Sequence, residues 1–165
     1  MLGVKSEMAR RVFFSFHYQN DIFRVNQIRN SHVVEGCAAA GFQDASLWEE
    51  ARRKGDSAIK TLIDNGLLNS SVTVVLIGEQ TAQRRYVTYE IEKSLERGNG
   101  LLGIHIHNIR NYDGRTSFFP GAVPEALRRA SAPVYTWDRS QFGTWVEEAY
   151  QRAQQKKNLP LAVLS

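Results

Sequence analysis

Residues 71–106 read SVTVVLIGEQTAQRRYVTYEIEKSLERGNGLLGIHI, and the change of period inside them decides the fold. Ser71 to Ile77 is nearly continuous in apolar and β-branched residues, as a strand buried on both faces of a parallel sheet would be. Gln83 to Arg97 switches to helical spacing, with Val87, Ile91 and Leu95 on one stripe and Gly98 as the stop. Gly100 to Ile106 returns to a buried strand. Strand, helix and strand in this order form a crossover unit, whose strands run parallel and whose connection is right-handed.

The same alternation continues in both directions. Upstream, Arg11 to Phe16 (RVFFSF) is β-branched and aromatic, a strand. Asp21 to Val34 has helical spacing at Ile22, Val25, Ile28 and Val33. Ala38 to Phe42 reads as a small-residue strand ending at Gln43-Asp44. Asp56 to Leu67 places Ile59, Leu62 and Ile63 on one helical face, with Gly66 near its end. Downstream, Asn108 to Pro133 is irregular and holds three of the four prolines. Val134 to Trp137 then reads as the last strand and Phe142 to Gln154 as the last helix. About five alternations specify an α/β three-layer fold, a central parallel sheet of about five strands with helices on both faces, the layering that flavodoxin-like folds share. One domain is expected over 9–155, with a disordered leader over 1–8 and a peripheral C-terminal tail over 156–165.

Composition narrows the function classes. The chain has 165 residues, 42% hydrophobic and 23% charged, as an ordinary globular domain does. No stretch approaches the roughly 20 apolar residues that span a bilayer, and no secretory signal is seen. Cys37 is the only cysteine, which excludes an intrachain disulfide and suits a reducing, cytoplasmic location. The net charge is +4, but the basic residues (Arg10-Arg11, Arg52-Arg53-Lys54, Arg84-Arg85, Arg128-Arg129, Lys156-Lys157) are scattered rather than gathered on one face. Neither nucleic acid nor membrane is therefore expected as a partner.

In an open parallel sheet, ligands bind beyond the carboxyl ends of the strands near a switch in strand order. The candidate site loops are then Ser15 to Tyr18, Asp44 to Glu49 and Gly78 to Gln80. Glu90 lies about two turns into the helix that follows the third loop, on the same face as Tyr86. A carboxylate flanking an apolar stripe is either a solvated flank or a side chain aimed into a cleft, and spacing alone favours the flank. Familiar phosphate cradles are missing: there is no GxGxxG after the first strand and no GxxxxGK[ST]. A GxSxG hydrolase elbow is also absent. His105 and His107 point the same way along one strand, but no third ligand stands at a telling distance, so no metal is expected.

Several ordered motifs together resemble a known family. RVFFSFHYQND is similar to the first box of TIR-like domains. GFQDASLWEEARRKGDSAIKTLI resembles their second strand, BB loop and second helix. The quoted 71–106 segment, extended through His107-Asn108-Ile109, resembles their third strand, glutamate-bearing helix and fourth strand. In wording the chain is most similar to the bacterial TIR-like proteins that include the Thoeris antiphage sensors, from Arg11 to about Ile109. The resemblance implies an enzyme that takes NAD as substrate, needs no cofactor and breaks the nicotinamide–ribose bond. It further implies a cyclic ADP-ribose-type messenger acting on a separate effector, and self-association. The family's essential glutamate falls on Glu90, and Tyr86 stands where many TIR domains carry tryptophan. Phe14, Ser15, Phe16 and His17, with the loop residues Asp44 and Trp48, fall near the nicotinamide and ribose.

The chemistry is compatible. Nicotinamide leaves as a neutral molecule, so positive charge develops on the ribose, as in glycoside hydrolysis. One carboxylate beside the ribose stabilises that charge without a metal, while aromatic walls hold the flat pyridinium and limit water. Two rival readings remain at this level: a non-catalytic TIR-like adaptor acting by self-association, and a nucleoside deoxyribosyltransferase-like enzyme.

Overall fold

The computed structural model describes residues 10–30, 37–39 and 45–159. Five strands form one sheet: β1 (Arg10–Ser15), β2 (Cys37–Ala39), β3 (Val72–Ile77), β4 (Gly100–His105) and β5 (Val134–Thr136). All pair in parallel in the order β2-β1-β3-β4-β5. Among the described residues six α-helices connect and cover them: α1 (Tyr18–Asn30), α2 (Ala45–Lys54), α3 (Asp56–Leu67), α4 (Arg85–Arg97), α5 (Glu125–Arg129) and α6 (Phe142–Lys157). The doubly covered parallel sheet that the sequence specifies is therefore present. Among the described residues no helix is long and apolar enough to cross a membrane.

The two faces of the sheet divide the core, because successive side chains along a strand point to opposite sides. Val12 and Phe14 of β1 join Val74 and Leu76 of β3 and meet Val25 and Ile28 of α1 and Phe142 and Val146 of α6. Phe13 of β1 points the other way, against Ala51, Ile59, Ile63 and Leu67 of α2 and α3. Val75 and Ile77 lie beneath Val87 and Ile91 of α4 and Leu127 of α5. Every residue of β3 is buried, which explains its unbroken apolar run.

Three details depart from expectation. The segment read as a loop from Asp44 to Glu49 is helical from Ala45 onward. Its sequence, ASLWEEARRK, consists mostly of good helix formers, and Glu50 pairs with Lys54 one turn later at 2.9 Å. Gly55, at φ 107°, then breaks the chain between α2 and α3 in a conformation that suits glycine. Second, α4 is rotated relative to the stripe read from its leucine: Leu95 is 45% exposed, while Glu90 and Ser94 are buried beside Val87 and Ile91. Ser94 tolerates burial because its Oγ bonds the Glu90 carbonyl at 2.7 Å and meets the Thr73 hydroxyl at 2.6 Å. Third, the irregular 108–133 segment contains α5, one short turn begun at Pro124. The end of α4 is as expected: Gly98, left-handed at φ 74°, closes the helix by bonding the Leu95 carbonyl. α6 runs to Lys157, slightly into the expected tail. The expected leader, the end of the second strand and Asp44 lie outside the described residues.

Candidate active site

Sheet order reverses between β1 and β3, since α1 covers one face and α4 the other. At the carboxyl end of β1, Ser15 pairs in register with Val75 and faces the same side as Phe13, toward α4. Glu90 descends from α4 onto this position and is only 6% exposed. The solvated-flank reading is thus overturned, because the apolar and polar residues at spacing 87, 90, 91 and 94 form one buried face. Around the carboxyl stand Phe13, Phe16, Tyr18, Trp48, Leu62 and Ile63 on one side. On the other are Phe16, His17, Tyr18, Trp48, Arg52, Arg84 and Tyr86. Glu90, Phe16, Tyr18 and Trp48 belong to both sides, so the two hollows are halves of one cleft.

The rings interlock. Tyr18 stacks on Trp48 with centroids 5.7 Å apart, and Trp48 meets the Tyr86 ring edge-on at 6.3 Å. Tyr86 is held in place by donating to Asp56 Oδ1 at 2.7 Å, while the Arg85 guanidinium lies 4.7 Å from its ring centre. Arg85 also reaches Asp56 at 3.2 Å, and Lys60 reaches the same carboxylate at 3.2 Å. The start of α3 is thereby tied to the start of α4, and Trp48 closes the gap between them. The free space left is about 40 Å³ and 70 Å³ in the two halves. That holds a few waters, well below the roughly 300–1,000 Å³ of typical small-ligand pockets.

Electrostatics mark the same place. Burial pushes the Glu90 carboxyl well above the usual carboxylate range, and only the nearby Ser15 hydroxyl draws it back. Ser15 Oγ itself is buried and makes no hydrogen bond of full geometry. His17 is 5% exposed, and neither of its ring nitrogens has a hydrogen-bond partner. Burial lowers its pKa, and the Arg84 guanidinium lowers it further, so the ring is neutral at neutral pH. Unpaired polar groups in a cleft are what a bound ligand would satisfy.

Of the residues singled out from sequence, Glu90, Ser15, Phe16, His17, Trp48 and Tyr86 come together here. Phe14 differs: it contributes to the cleft wall, but its ring stacks on Phe142 at 6.3 Å in the opposite core. Alternation along β1 turns it away from Glu90. Asp44 falls outside the described residues. Tyr18, the end of the expected first site loop, also lines the cleft, and Gln19, Arg52 and Arg84 line it without having been singled out as site residues. For Arg84 a signal existed, since it opens the helix that carries Glu90. Arg52 could be placed only by knowing that 45–54 is helical.

Over 109 residues the chain is 57% identical to a protein of Bacillus cereus (strain MSX-D12) named "Putative cyclic ADP-D-ribose synthase ThsB1". The match takes in 65% of this chain and 57% of that protein, so the chain spans little more than half the length of the relative. Residues 13–111, from β1 through β4 and the whole described cleft, match the family described as "Thoeris protein ThsB, TIR-like domain". That is more than half of the chain, and the chain belongs to this TIR-like family.

Proposed function

We propose that this chain is an NAD-cleaving enzyme that breaks the nicotinamide–ribose bond with Glu90 and makes a cyclic ADP-ribose-type messenger for a separate effector in antiphage defence. The observation that carries the reading is a single carboxyl, 6% exposed, at the floor of an aromatic cleft. Such a carboxyl is protonated more readily than usual when the cleft is empty. A pyridinium ribosyl group beside it favours the anion, because an opposite charge nearby offsets the desolvation. As nicotinamide departs, that anion faces the cation developing on the ribose, with little water to compete. The name of the Bacillus cereus relative, a cyclic ADP-D-ribose synthase, supports a cyclic product.

Cyclisation requires that an atom of the adenosine half meet the ribose carbon before water does. Phe16, Trp48 and Tyr86 are the walls that exclude water in this reading. The closed cleft also supports an enzyme that is silent when dilute and opens on self-association or another signal. The test of the messenger is product analysis with Trp48→Ala. The variant is expected to keep releasing nicotinamide while its product shifts from cyclic toward linear ADP-ribose. A wild-type protein that yields only linear ADP-ribose under activating conditions would contradict the messenger. Consumption of nucleosides in place of NAD would contradict the substrate as well.

A further inference from the structure

We propose that the outer part of the same cleft is a diphosphate-binding subsite, in which Arg84 and Arg52 grip the two phosphates of a dinucleotide and His17 and Gln19 complete the grip. It rests on the reading that this cleft takes NAD, and it assigns the residues that hold the charged middle of the substrate. Glu90, His17, Gln19, Arg52 and Arg84 all line one cavity. Glu90 is buried at its inner end, whereas both arginines are exposed. A nucleotide whose ribose reaches Glu90 therefore carries its 5′ phosphates toward the arginines.

The two guanidiniums are disposed for such a role. Arg84 has no carboxylate partner among the described residues, in contrast to its neighbour Arg85, which Asp56 holds at 3.2 Å. Among the described residues the carboxylate that pairs with Arg52 is Glu49, at a long, solvent-exposed 3.7 Å, which water screens and a ligand displaces at little cost. With the Gln19 amide turned to present its oxygen, Arg52 donates to it at 2.6 and 3.2 Å, which would aim the guanidinium across the cleft. His17 is 5% exposed with both ring nitrogens unpartnered. A buried ring with a spare N–H donor and no acceptor is poised for a phosphate or ribose oxygen. Arg84 is also the N-cap of α4, and no side chain caps that end. The free N–H groups and dipole of the helix start favour an anion at the same spot. Two guanidiniums provide planar, paired donors for adjacent phosphates, which a lone cation does not.

Two measurements on the 165-residue chain test the subsite apart from the enzyme reading. Calorimetry with inorganic pyrophosphate on the Glu90→Gln protein should detect binding, and adding Arg84→Gln or Arg52→Gln should weaken it about tenfold or more. Arg53→Gln, on the outer side of the same helix, is the control and should bind as the parent does. In turnover, the ratio of kcat/KM for NAD to that for nicotinamide riboside, which lacks phosphate, should fall about tenfold or more in Arg84→Gln, chiefly through KM. Arg84→Lys should recover part of the ratio. The subsite is overturned if pyrophosphate binds the arginine variants as tightly as their parent, or does not bind at all. It is equally overturned if the NAD to riboside ratio is unchanged. Pyrophosphate binding without NAD turnover would leave the subsite standing and remove the enzyme reading.

Discussion

A carboxyl buried among phenyl, phenol and indole rings lowers stability whenever it ionises, and Glu90 is placed to do so. Its folded pKa lies above its unfolded value. The stabilising contribution of the protonated form is therefore full below the unfolded pKa of about 4.3 and is lost as pH rises through the folded value. Glu90→Gln removes that loss. It is expected to melt higher than wild type at pH 7–8, by roughly 2–4 °C for each kcal/mol recovered, with the gap narrowing toward pH 4. Scanning calorimetry across pH checks this, and a variant that melts lower at pH 8 would contradict the buried, destabilised carboxyl. Legibility at this scale was partial. The sequence places Glu90 in the right helix, but spacing alone favours a solvated flank, because a carboxylate beside an apolar stripe is usually exposed. The buried face instead follows Ser94, whose bonds to Thr73 and to the Glu90 carbonyl cannot be read from a periodicity of apolar residues.

At the scale of elements, α2 is both the main surprise and the part expected to move. Trp48 and Ala51 are its inward residues in the core cluster, too sparse a pattern to outweigh resemblance to a loop. The long strands and α3, α4 and α6 were legible because each carries several apolar residues at one period. The five-residue α5 was not, since one buried leucine defines no period. α2 closes the cleft through Trp48, and the tie beneath it is the Tyr86–Asp56 hydrogen bond of 2.7 Å. Tyr86→Phe keeps the ring and deletes that bond together with the one the hydroxyl accepts from Arg85 at 2.8 Å. It is expected to speed amide hydrogen exchange in α2 and to raise NAD turnover of dilute protein several-fold, at a stability cost of about 0.5–1.5 kcal/mol. Unchanged exchange in α2 would show that the tie does not hold the lid.

For the molecule as a whole, the sheet between two helical layers positions everything, and one long-range ion pair closes it. Arg10 at the start of β1 grips Glu147 of α6 in a forked pair at 2.7 and 2.9 Å. The bond to Arg10 draws the Glu147 carboxyl down to about 2. A depressed folded pKa contributes stability above the unfolded value of about 4.3, and that contribution disappears as pH falls through the folded one. Glu147 is 43% exposed, so screening limits the effect. Glu147→Gln should cost about 1 kcal/mol or less at pH 7. Denaturant titrations should show this difference vanishing between about pH 4 and pH 2. A difference that persists at pH 2 would assign the effect to packing instead. The parallel sheet and its order of elements were largely legible, because β3 and β4 announce themselves as buried strands. The closing residues Phe16, His17, Trp48 and Tyr86 were legible through the family resemblance, whereas the stacking of Tyr18 on Trp48 across α1 and α2 was not, since no single segment encodes it.

If Glu90 is the group that breaks the nicotinamide–ribose bond, its loss must abolish nicotinamide release without unfolding the protein. The most direct measurement is chromatography of NAD incubated with wild-type and Glu90→Gln protein, each at low and high protein concentration. Nicotinamide should appear with wild type, more per molecule when the protein is concentrated, and should fall by at least about a hundredfold in the folded variant. Nicotinamide released equally by both proteins, or by neither at any concentration, would contradict the account.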